Sequence, residues 1–488
     1  MRDGCRFWRP AVHGLWLCLL AGLGGCGPAF LEEPEAWARR EAPIRIPNSL
    51  STQALVFNAL STNKIANQLL GTNALAALFS PPGHPTILNQ LQDPAARQFM
   101  GYLVSCALAN GQNLTWVDPS TGGTQTWQGK LGICPAWKTQ APTQACLQQV
   151  SSCLLARNNA FGLRVELSLR GEHPTTPSVF GLETVTPPSE YVPLSPQRLA
   201  SFEPCTGTPV GAARDCGWRG DAVGACQPDT RVVLGAGGAD PDTCTGAALG
   251  TSSGARMVLR VCEGIHGCDH GSALPWLGES AGSCGTVAPA VAFTCPAGGH
   301  FSVMTAPYTH GQLGTATVQT APSSVQYRLP EASVFRVREG AFYGTVFDPE
   351  ALAAEVFVRD GRVILPEQPV KGSVYRRMYS CYDSNWSDGV ANATHRVCAL
   401  PSTSSNCAAQ VTGVCVNPAY RAYPSSMCAT DDGSQVAGDG DYEKCRDHHS
   451  TTQWNYPVTS YIHSACDVLG DYGKPELCTR PRQTPKLP

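Results

Sequence analysis

Residues 256–262 read RMVLRVC, and this stretch predicts the class of the fold. Apolar side chains occupy alternate positions at Met257, Leu259 and Val261, as in a strand with one buried face. Residues 291–295, VAFTC, repeat the pattern, and 49 glycines and 39 prolines suit a turn-rich chain. We therefore expect a mostly β fold of several disulfide-stapled modules, with a small helical part near the N-terminus.

The helical part is predicted from capping signals. Asp93-Pro94 is a capping residue followed by proline, and Asn110-Gly111 is a stop signal, so a helix is expected between them. A second helix is expected from about Thr143 to Asn159.

The four cysteines of this part restrict one another. Cys146 and Cys153 are two helical turns apart, about 10.5 Å along the axis, which is too far for a disulfide between them. Each must pair with Cys106 or Cys134. We favour Cys106–Cys153, a bridge between the two helices.

A short repeat precedes the helices. From residue 48 the chain divides into fives, NSLST, QALVF, NALST, NKIAN, QLLGT and NALAA, with Asn or Gln first and Leu or Ile third. A five-residue step would scatter these leucines around an α-helix, but it suits a small β-solenoid and resembles pentapeptide-repeat proteins. An irregular Ala/Leu-rich helix is the alternative.

The N-terminus indicates export. Arg2, Arg6 and Arg9 precede a short apolar run, Leu15–Ala21, which is too short to cross a bilayer and is typical of a cleaved signal. Leu23-Gly24-Gly25-Cys26 resembles the lipobox of bacterial lipoproteins. That resemblance implies cleavage before an acylated Cys26 and, because Gly27 is not aspartate, sorting to the outer membrane.

The cysteines support an oxidising compartment. Of 23, Cys5 and Cys18 leave with the signal and Cys26 takes the lipid, so twenty remain. They fall into three even-numbered runs, as expected if each module forms its own disulfides. The runs are Cys106, Cys134, Cys146 and Cys153; then Cys205, Cys216, Cys226, Cys244, Cys262, Cys268, Cys284 and Cys295; then Cys381, Cys398, Cys407, Cys415, Cys428, Cys445, Cys466 and Cys478.

Residues 278–282, GESAG, match the nucleophile elbow of a serine esterase, with Ser280 as nucleophile. Proline at 275 does not suit a preceding central strand, and the following residues cannot begin a long helix. His300, His310 and His395 lie downstream, so the order of a catalytic triad is retained. A secreted esterase is the alternative function.

A metal site is the third hypothesis. Cys262, His266, Cys268 and His270 could supply nitrogen and sulfur ligands for zinc or copper. Because the neighbouring cysteines need partners in an oxidising compartment, we expect Cys262 and Cys268 to be disulfide-bonded and the histidines to be exposed. No metal or cofactor is therefore expected there. His448-His449 is interpreted as surface.

Two further features carry weaker hypotheses. The acidic loop from Asp431 to Glu443 offers carboxylates for calcium but lacks EF-hand spacing, so we favour a solvated turn. Four aromatic residues are candidates for lining a glycan or peptide site, although module cores are the more usual place for them: Trp386, Trp454, Tyr456 and Tyr461.

A family resemblance covers much of the chain. The chain resembles a group of uncharacterised cysteine-rich lipoproteins of myxobacteria and their relatives. The resemblance lies in the five-residue repeats and in the segments GYLVSCALANGQ, CLLARNNAFG and EGAFYG. The resemblance implies the compartment and the modular order, and it carries over no functional residue.

The predicted function is a non-enzymatic, disulfide-rich lipoprotein of the outer membrane, with a structural or binding role in the cell envelope. Its partners are the membrane, through the lipid, and an envelope or extracellular ligand. A net charge of −3 with 15% charged residues argues against nucleic acid. The predicted segments are a signal peptide, 1–25; a tether, 26–47; the pentapeptide-like segment, 48–79; a helical four-cysteine module, 85–171; a proline-rich linker, 172–204; a β-sandwich-like eight-cysteine module, 205–320; a β segment, 327–370; and a C-terminal eight-cysteine module, 371–488.

Overall fold

The computed structural model describes residues 50–172, 223–235, 256–265, 276–283, 290–307 and 325–465, with short gaps inside the first and last ranges. The predicted signal, the tether with Cys26, and the linker beyond residue 172 lie outside these residues. Strands outnumber helices in the described part, and disulfides join its cysteines, so the mostly β, disulfide-stapled class is confirmed.

Helices concentrate in the first third of the chain. They are α1 Thr52–Phe57, α2 Ala59–Thr62, α3 Lys64–Thr72, α4 Leu75–Phe79, α5 Pro85–Gln90, α6 Pro94–Ala107, a 3-10 turn Pro135–Lys138, α7 Gln144–Ala156, α8 Glu331–Val334, α9 Gly389–Asn392 and a π-helical turn Ala393–Val397.

The strands are β1 Leu50–Ser51, β2 Asn113–Val117, β3 Thr124–Gln128, β4 Asn158–Asn159, β5 Leu167–Arg170, β6 Val223–Ala225, β7 Arg231–Leu234, β8 Arg256–Glu263, β9 Trp276–Ser283, β10 Val291–Thr294, β11 His300–Pro307, β12 Gln326–Tyr327, β13 Val337–Gly344, β14 Leu352–Arg359, β15 Arg362–Ile364, β16 Lys371–Tyr375, β17 Met378–Tyr382, β18 Cys398–Ala399, β19 Asn406–Cys407, β20 Gln410–Val414, β21 Cys428–Asp431, β22 Tyr442–Arg446, β23 Gln453–Trp454 and β24 Val458–Ile462.

The two long helices begin at side-chain caps. Asp93 accepts a hydrogen bond from the backbone N–H of Ala95 at the start of α6. Thr143 does the same for Cys146 at the start of α7. Each cap satisfies one of the backbone donors that a helix leaves open in its first turn. The helices lie within a few residues of the predicted bounds.

Short helices occupy the segment of fives, where a solenoid was one of two expectations. Two of the repeated asparagines act as helix N-caps, because Asn58 accepts from the N–H of Ser61 and Asn63 from that of Ala66. The third-position residues are buried with one exception, Ile65, which is 62% exposed. At Asn58 and Asn63 the five-residue spacing coincides with two successive capped helix starts.

A five-stranded sheet unites parts of the chain that the sequence assigned to separate modules. Its strand order is β20-β17-β13-β24-β5. β5 comes from the helical part, β13 from the bridging β segment and β24 from the C-terminal part. β24 pairs antiparallel with both β13 and β5.

The core beneath this sheet is also shared. α7 packs on β13 and β24, and Leu154 and Phe342 belong to one buried apolar cluster with Val458. Residues predicted to belong to the helical module, the β segment and the C-terminal module thus contribute to one sheet and one hydrophobic core.

The middle of the chain forms two further antiparallel layers. One is a five-stranded sheet of order β12-β6-β11-β8-β9, and the other pairs β10 with β7. Side chains from both layers meet in one apolar cluster, in which the rings of Phe293 and Phe301 lie 5.1 Å apart. The two layers therefore share one apolar interface.

The remaining strands form smaller sheets. The order β15-β14-β16-β19-β18 describes one of five strands and β21-β22-β23 one of three, while β1 pairs with β4 and β2 with β3.

Disulfides staple each part of the described fold. Cys106–Cys153 joins α6 to α7, the bridge favoured from the helix geometry. Six bridges have both cysteines within the described residues, and each stays within one of the three predicted runs: Cys106–Cys153, Cys134–Cys146, Cys226–Cys295, Cys381–Cys415, Cys398–Cys407 and Cys428–Cys445.

Candidate metal centre

Three buried carboxyl groups meet where the chain leaves the central sheet. Glu172 lies two residues after the end of β5, Asp441 immediately precedes β22, and Glu443 lies within β22. One carboxylate oxygen from each lies within 4.8 Å of the corresponding oxygens of the other two. Two segments far apart in sequence thus bring three hard oxygen ligands to one point.

Burial distinguishes this cluster from an ordinary acidic turn. Glu172, Asp441 and Glu443 are 1%, 0% and 2% exposed. A solvated turn was the favoured interpretation of this loop, and for Asp441 and Glu443 it is wrong. Other acidic residues of the loop, Asp432 and Asp439, lie outside the described residues.

The backbone before Asp441 is held in place by a glycine turn. Gly440 has φ +74, and a Cβ atom there would lie 2.5 Å from the hydroxyl oxygen of Tyr461. The Tyr461 hydroxyl donates to the Gly440 carbonyl at 2.7 Å, and Arg338 donates to the same oxygen at 3.2 Å. Only glycine fits this turn without strain, so the approach of Asp441 to the core is fixed.

Neighbouring side chains orient β22. The backbone N–H of Tyr442 donates to Thr459 Oγ1 at 2.8 Å, and the Tyr442 hydroxyl donates to Asp383 at 2.9 Å. Arg338 pairs with Asp383 at 3.0 Å and lies over the Tyr442 ring. Because Tyr442 is held on both sides, the flanking Asp441 and Glu443 are held with it.

The other half of the cluster is anchored through its backbone. Gln149 on α7 donates its side-chain N–H to the carbonyl of Glu172. The side-chain oxygen of Gln149 is buried and has no hydrogen-bond partner among the described residues. Glu172 therefore belongs to the core and not to the linker that was predicted to begin at this residue.

The electrostatics of the cluster disfavour three negative charges. Burial above all, together with the adjacent Glu443 and Asp441 carboxyls, raises the pKa of Glu172 to about 10. Arg170 supplies a cationic side chain nearby: its guanidinium stacks 3.4 Å from the centre of the Tyr461 ring. Its Nη1 would lie 3.4 Å from a Cβ at Gly440.

Oxygen ligands of this kind suit hard cations such as Ca²⁺, Mg²⁺ or Mn²⁺. The described residues of the loop do not follow EF-hand spacing, in which all the ligands come from one twelve-residue loop. Here the third ligand, Glu172, comes from a distant strand end.

A second cluster contains sulfur. Cys381, Cys415 and Cys428 lie close together, and the sulfurs of Cys381 and Cys428 are 3.3 Å apart. Cys381 is bonded to Cys415 and Cys428 to Cys445. Because the thiolate is the metal-binding form of cysteine, these oxidised sulfurs offer no zinc site.

The esterase motif does not form an elbow. Ser280 lies within β9, opposite Leu259 of β8 in an antiparallel pair. A nucleophile elbow instead requires a sharp turn between a strand and a helix. Of the downstream histidines, His300 begins β11, His395 is buried in the π-helical turn, and His310 lies outside the described residues.

The predicted cysteine–histidine site is only partly described. Cys262 is disulfide-bonded, which removes its thiolate. His266, Cys268, His270, His448 and His449 lie outside the described residues. The same holds for the remaining cysteines of the second and third runs: Cys205, Cys216, Cys244, Cys284, Cys466 and Cys478.

Aromatic residues proposed for a ligand site lie mostly in the core. Trp386 and Trp454 are buried, Tyr461 nearly so, and Tyr456 is half-buried. Tyr461 packs instead against Gly440 and Arg170.

Sequence reasoning found Asp441 and Glu443 as part of an acidic loop but missed Glu172 entirely. The residues flanking Glu172, GEHP, carry no local signal beyond a single charge before a proline-rich stretch. Only the pairing of β5 with β24 brings Glu172 to the loop.

The chain was compared with protein-family models, curated proteins and solved structures, and no match was found in any of them. Among the described helices, none combines the length and apolar character needed to cross a membrane.

Proposed function

We propose that this chain is an exported lipoprotein, anchored to the outer membrane through an acylated Cys26, with a structural or binding role in the cell envelope and no enzymatic activity. The single observation that carries the proposal is the disulfide network. Buried bridges tie the helical part, the middle layers and the C-terminal part, each internally. Such bridges form and persist in oxidising compartments.

The export signal adds the anchor. A basic n-region, a short apolar run and a cysteine preceded by small residues occur in that order in the first 26 residues. Several acyl chains on one cysteine anchor a protein stably, whereas a single chain gives only marginal binding.

The non-enzymatic part is supported by the geometry of the motifs. Ser280 sits in the middle of a paired strand, and Cys262 is oxidised. The described fold instead offers a stapled scaffold, for which presentation of a surface to an envelope or extracellular ligand is the simplest role.

The proposal is tested with the full-length protein in a host that processes lipoproteins. We expect mass spectrometry to find a mature N-terminus at Cys26 carrying acyl chains, and Cys26→Ser to be released from the outer-membrane fraction or left unprocessed. Cys18→Ser, which changes a cysteine inside the signal, is the matched control and keeps the protein in the membrane.

Two results would contradict the proposal. A mature N-terminus elsewhere would remove the lipid anchor. Turnover of a generic ester substrate by the purified protein, lost in Ser280→Ala, would remove the non-enzymatic assignment.

A further inference from the structure

The carboxyl cluster of Glu172, Asp441 and Glu443 combines two features that rarely coexist without a ligand. All three side chains are at least 98% buried. Among the described residues, no donor group outside the cluster gives a hydrogen bond to the carboxylate oxygens of Glu172 and Glu443. Buried polar groups almost always have partners, and an uncompensated buried charge is strongly destabilising.

The positively charged side chains near the cluster do not balance its negative charge, and one divalent cation would make up the difference. When ionised, the three carboxylates carry three negative charges, and Arg170, itself 4% exposed, supplies one positive charge beside Gly440. Arg338 is paired with Asp383. Counted over these described side chains, two negative charges remain, which matches a divalent cation.

The cluster suits Ca²⁺ better than Mg²⁺. Its three carboxylate oxygens lie within 4.8 Å of one another, close enough for all of them to bind one Ca²⁺ ion at about 2.3–2.6 Å. Mg²⁺ usually keeps several water molecules and binds only one or two carboxylates, whereas the three carboxyl groups here are buried together. The side-chain oxygen of Gln149, whose amide N–H donates to the Glu172 carbonyl, is also buried and has no partner among the described residues.

We propose that Glu172, Asp441 and Glu443 bind one Ca²⁺ ion, which ties the end of β5 to the start of β22. The ion binds the folded protein and not the unfolded chain, because the three ligands come together only through the pairing of β5 with β24. Calcium therefore stabilises the fold by mass action, and a chelator weakens the contact between the N-terminal and C-terminal parts of the core. The inference does not depend on the lipid anchor or on the envelope role.

The test uses the purified full-length protein after removal of metal with EGTA. CaCl₂ is expected to raise the Tm in a concentration-dependent way. Equilibrium dialysis followed by elemental analysis is expected to find one bound Ca²⁺ ion per chain. MgCl₂ at the same concentration is expected to give a smaller shift.

Two amide variants locate the site. Glu172→Gln and Glu443→Gln keep the side-chain shape and remove one charge each, so both should fold and keep at least the wild-type Tm in EGTA. Each is expected to weaken Ca²⁺ binding by more than ~10-fold, since even indirect changes at metal sites have effects of this size. Asp348→Asn is the matched control, because Asp348 pairs with Arg377 at the surface; its calcium response should equal that of the wild type.

Each alternative result overturns the proposal. The absence of a calcium shift in the wild type would show that the cluster is neutralised by protons alone. A full calcium shift in both amide variants would place the ion elsewhere, and an equal response to Mg²⁺ would remove the assignment to calcium. If one amide variant fails to fold, the other variant and the wild-type stoichiometry decide.

Discussion

Replacing Arg396 with methionine should destabilise the whole described core, because this residue connects three pieces of the chain. Its guanidinium pairs with Glu339 of β13 at 3.0 Å, and both side chains are 1% exposed. The same guanidinium donates to the carbonyls of Ala156, at the end of α7, and Asn158, in β4. Ser460 of β24 donates to Glu339 at 2.6 Å.

The expected magnitude follows from what the substitution leaves behind. Methionine fills most of the space but leaves the Glu339 carboxylate buried without its counter-ion, and breaking a buried ion pair in this way costs about 3–5 kcal/mol. Two carbonyls also lose a donor. Against a total stability of roughly 5–15 kcal/mol, the loss is large. Glu339→Gln combined with Arg396→Met should cost less than the sum of the two single changes by ~1–3 kcal/mol.

Urea unfolding of the full chain measures the effect, followed by tryptophan fluorescence and far-UV circular dichroism. Trp137 lies in the helical part and Trp386 in the C-terminal part, so single-tryptophan versions report on each. Arg377→Met is the matched control, since Arg377 is 48% exposed and pairs with Asp348 at the surface; it should cost less than ~1 kcal/mol. If Arg396→Met costs no more than this control, or if only one tryptophan shifts its midpoint, the single shared core is refuted.

Two further predictions concern covalent and backbone restraints. Replacing both cysteines of a bridge with alanine should lower the free energy of unfolding by ~4 kcal/mol for Cys106–Cys153 and by ~3 kcal/mol for Cys134–Cys146. The difference follows because a disulfide restricts the unfolded chain more when it closes a longer loop, and the separations are 47 and 12 residues. A larger loss of unfolding free energy for the shorter loop would contradict this account. Gly440→Ala should lower the free energy of unfolding by ~2–4 kcal/mol, because it combines strain at positive φ with steric overlap of the new methyl group and Tyr461. Gly122→Ala is the control: it has φ +71 but open space around it, so it should lower that free energy by only ~1–2 kcal/mol. Equal thermal shifts for the two glycine variants would show that the contact with Tyr461 contributes nothing.

Helix starts and one disulfide pairing could be predicted from the sequence because each depends on a few residues that are close together in it. Asp93 and Thr143 mark helix starts through their own hydrogen bonds, and the spacing of Cys146 and Cys153 on one helix forced their partners. The asparagines at 58 and 63 were also visible, but a repeated N-cap and a repeat of solenoid coils share the same five-residue spacing. The geometry of the cap hydrogen bond separates them, and sequence alone does not contain it.

Long-range pairing was not readable in this way. Ser460 pairs with Leu169 in the central sheet, yet nothing in either strand specifies the other, since any half-buried strand of similar length satisfies the same alternation. The modular boundaries were therefore drawn at cysteine gaps and proline-rich stretches, and Glu172 was assigned to a linker. The burial of Asp441 and Glu443 was not predicted for the same reason. An acidic loop is expected to be exposed to solvent unless a strand that is distant in sequence covers it.

A long segment of the chain is inserted between β5 and β13 of the central sheet. This insertion explains why the contacts that hold β5 lie near the point where the chain leaves the sheet. The chain leaves the sheet after Arg170, builds the middle layers, and returns at Val337 as the neighbour of β24. The entropy of closing such a long loop rises slowly, by only about 0.6 kcal/mol for each doubling of its length, so the insertion itself is tolerated. The insertion separates β5 along the chain from the next strand of this sheet. Among the described strands, β5 pairs only with β24, at one edge of the sheet. The carboxyl cluster, the Gln149 contact and the Arg170–Tyr461 stacking all lie at this edge. A calcium ion there would hold the strand at the point where the chain departs, which is where the end of an edge strand would otherwise fray first.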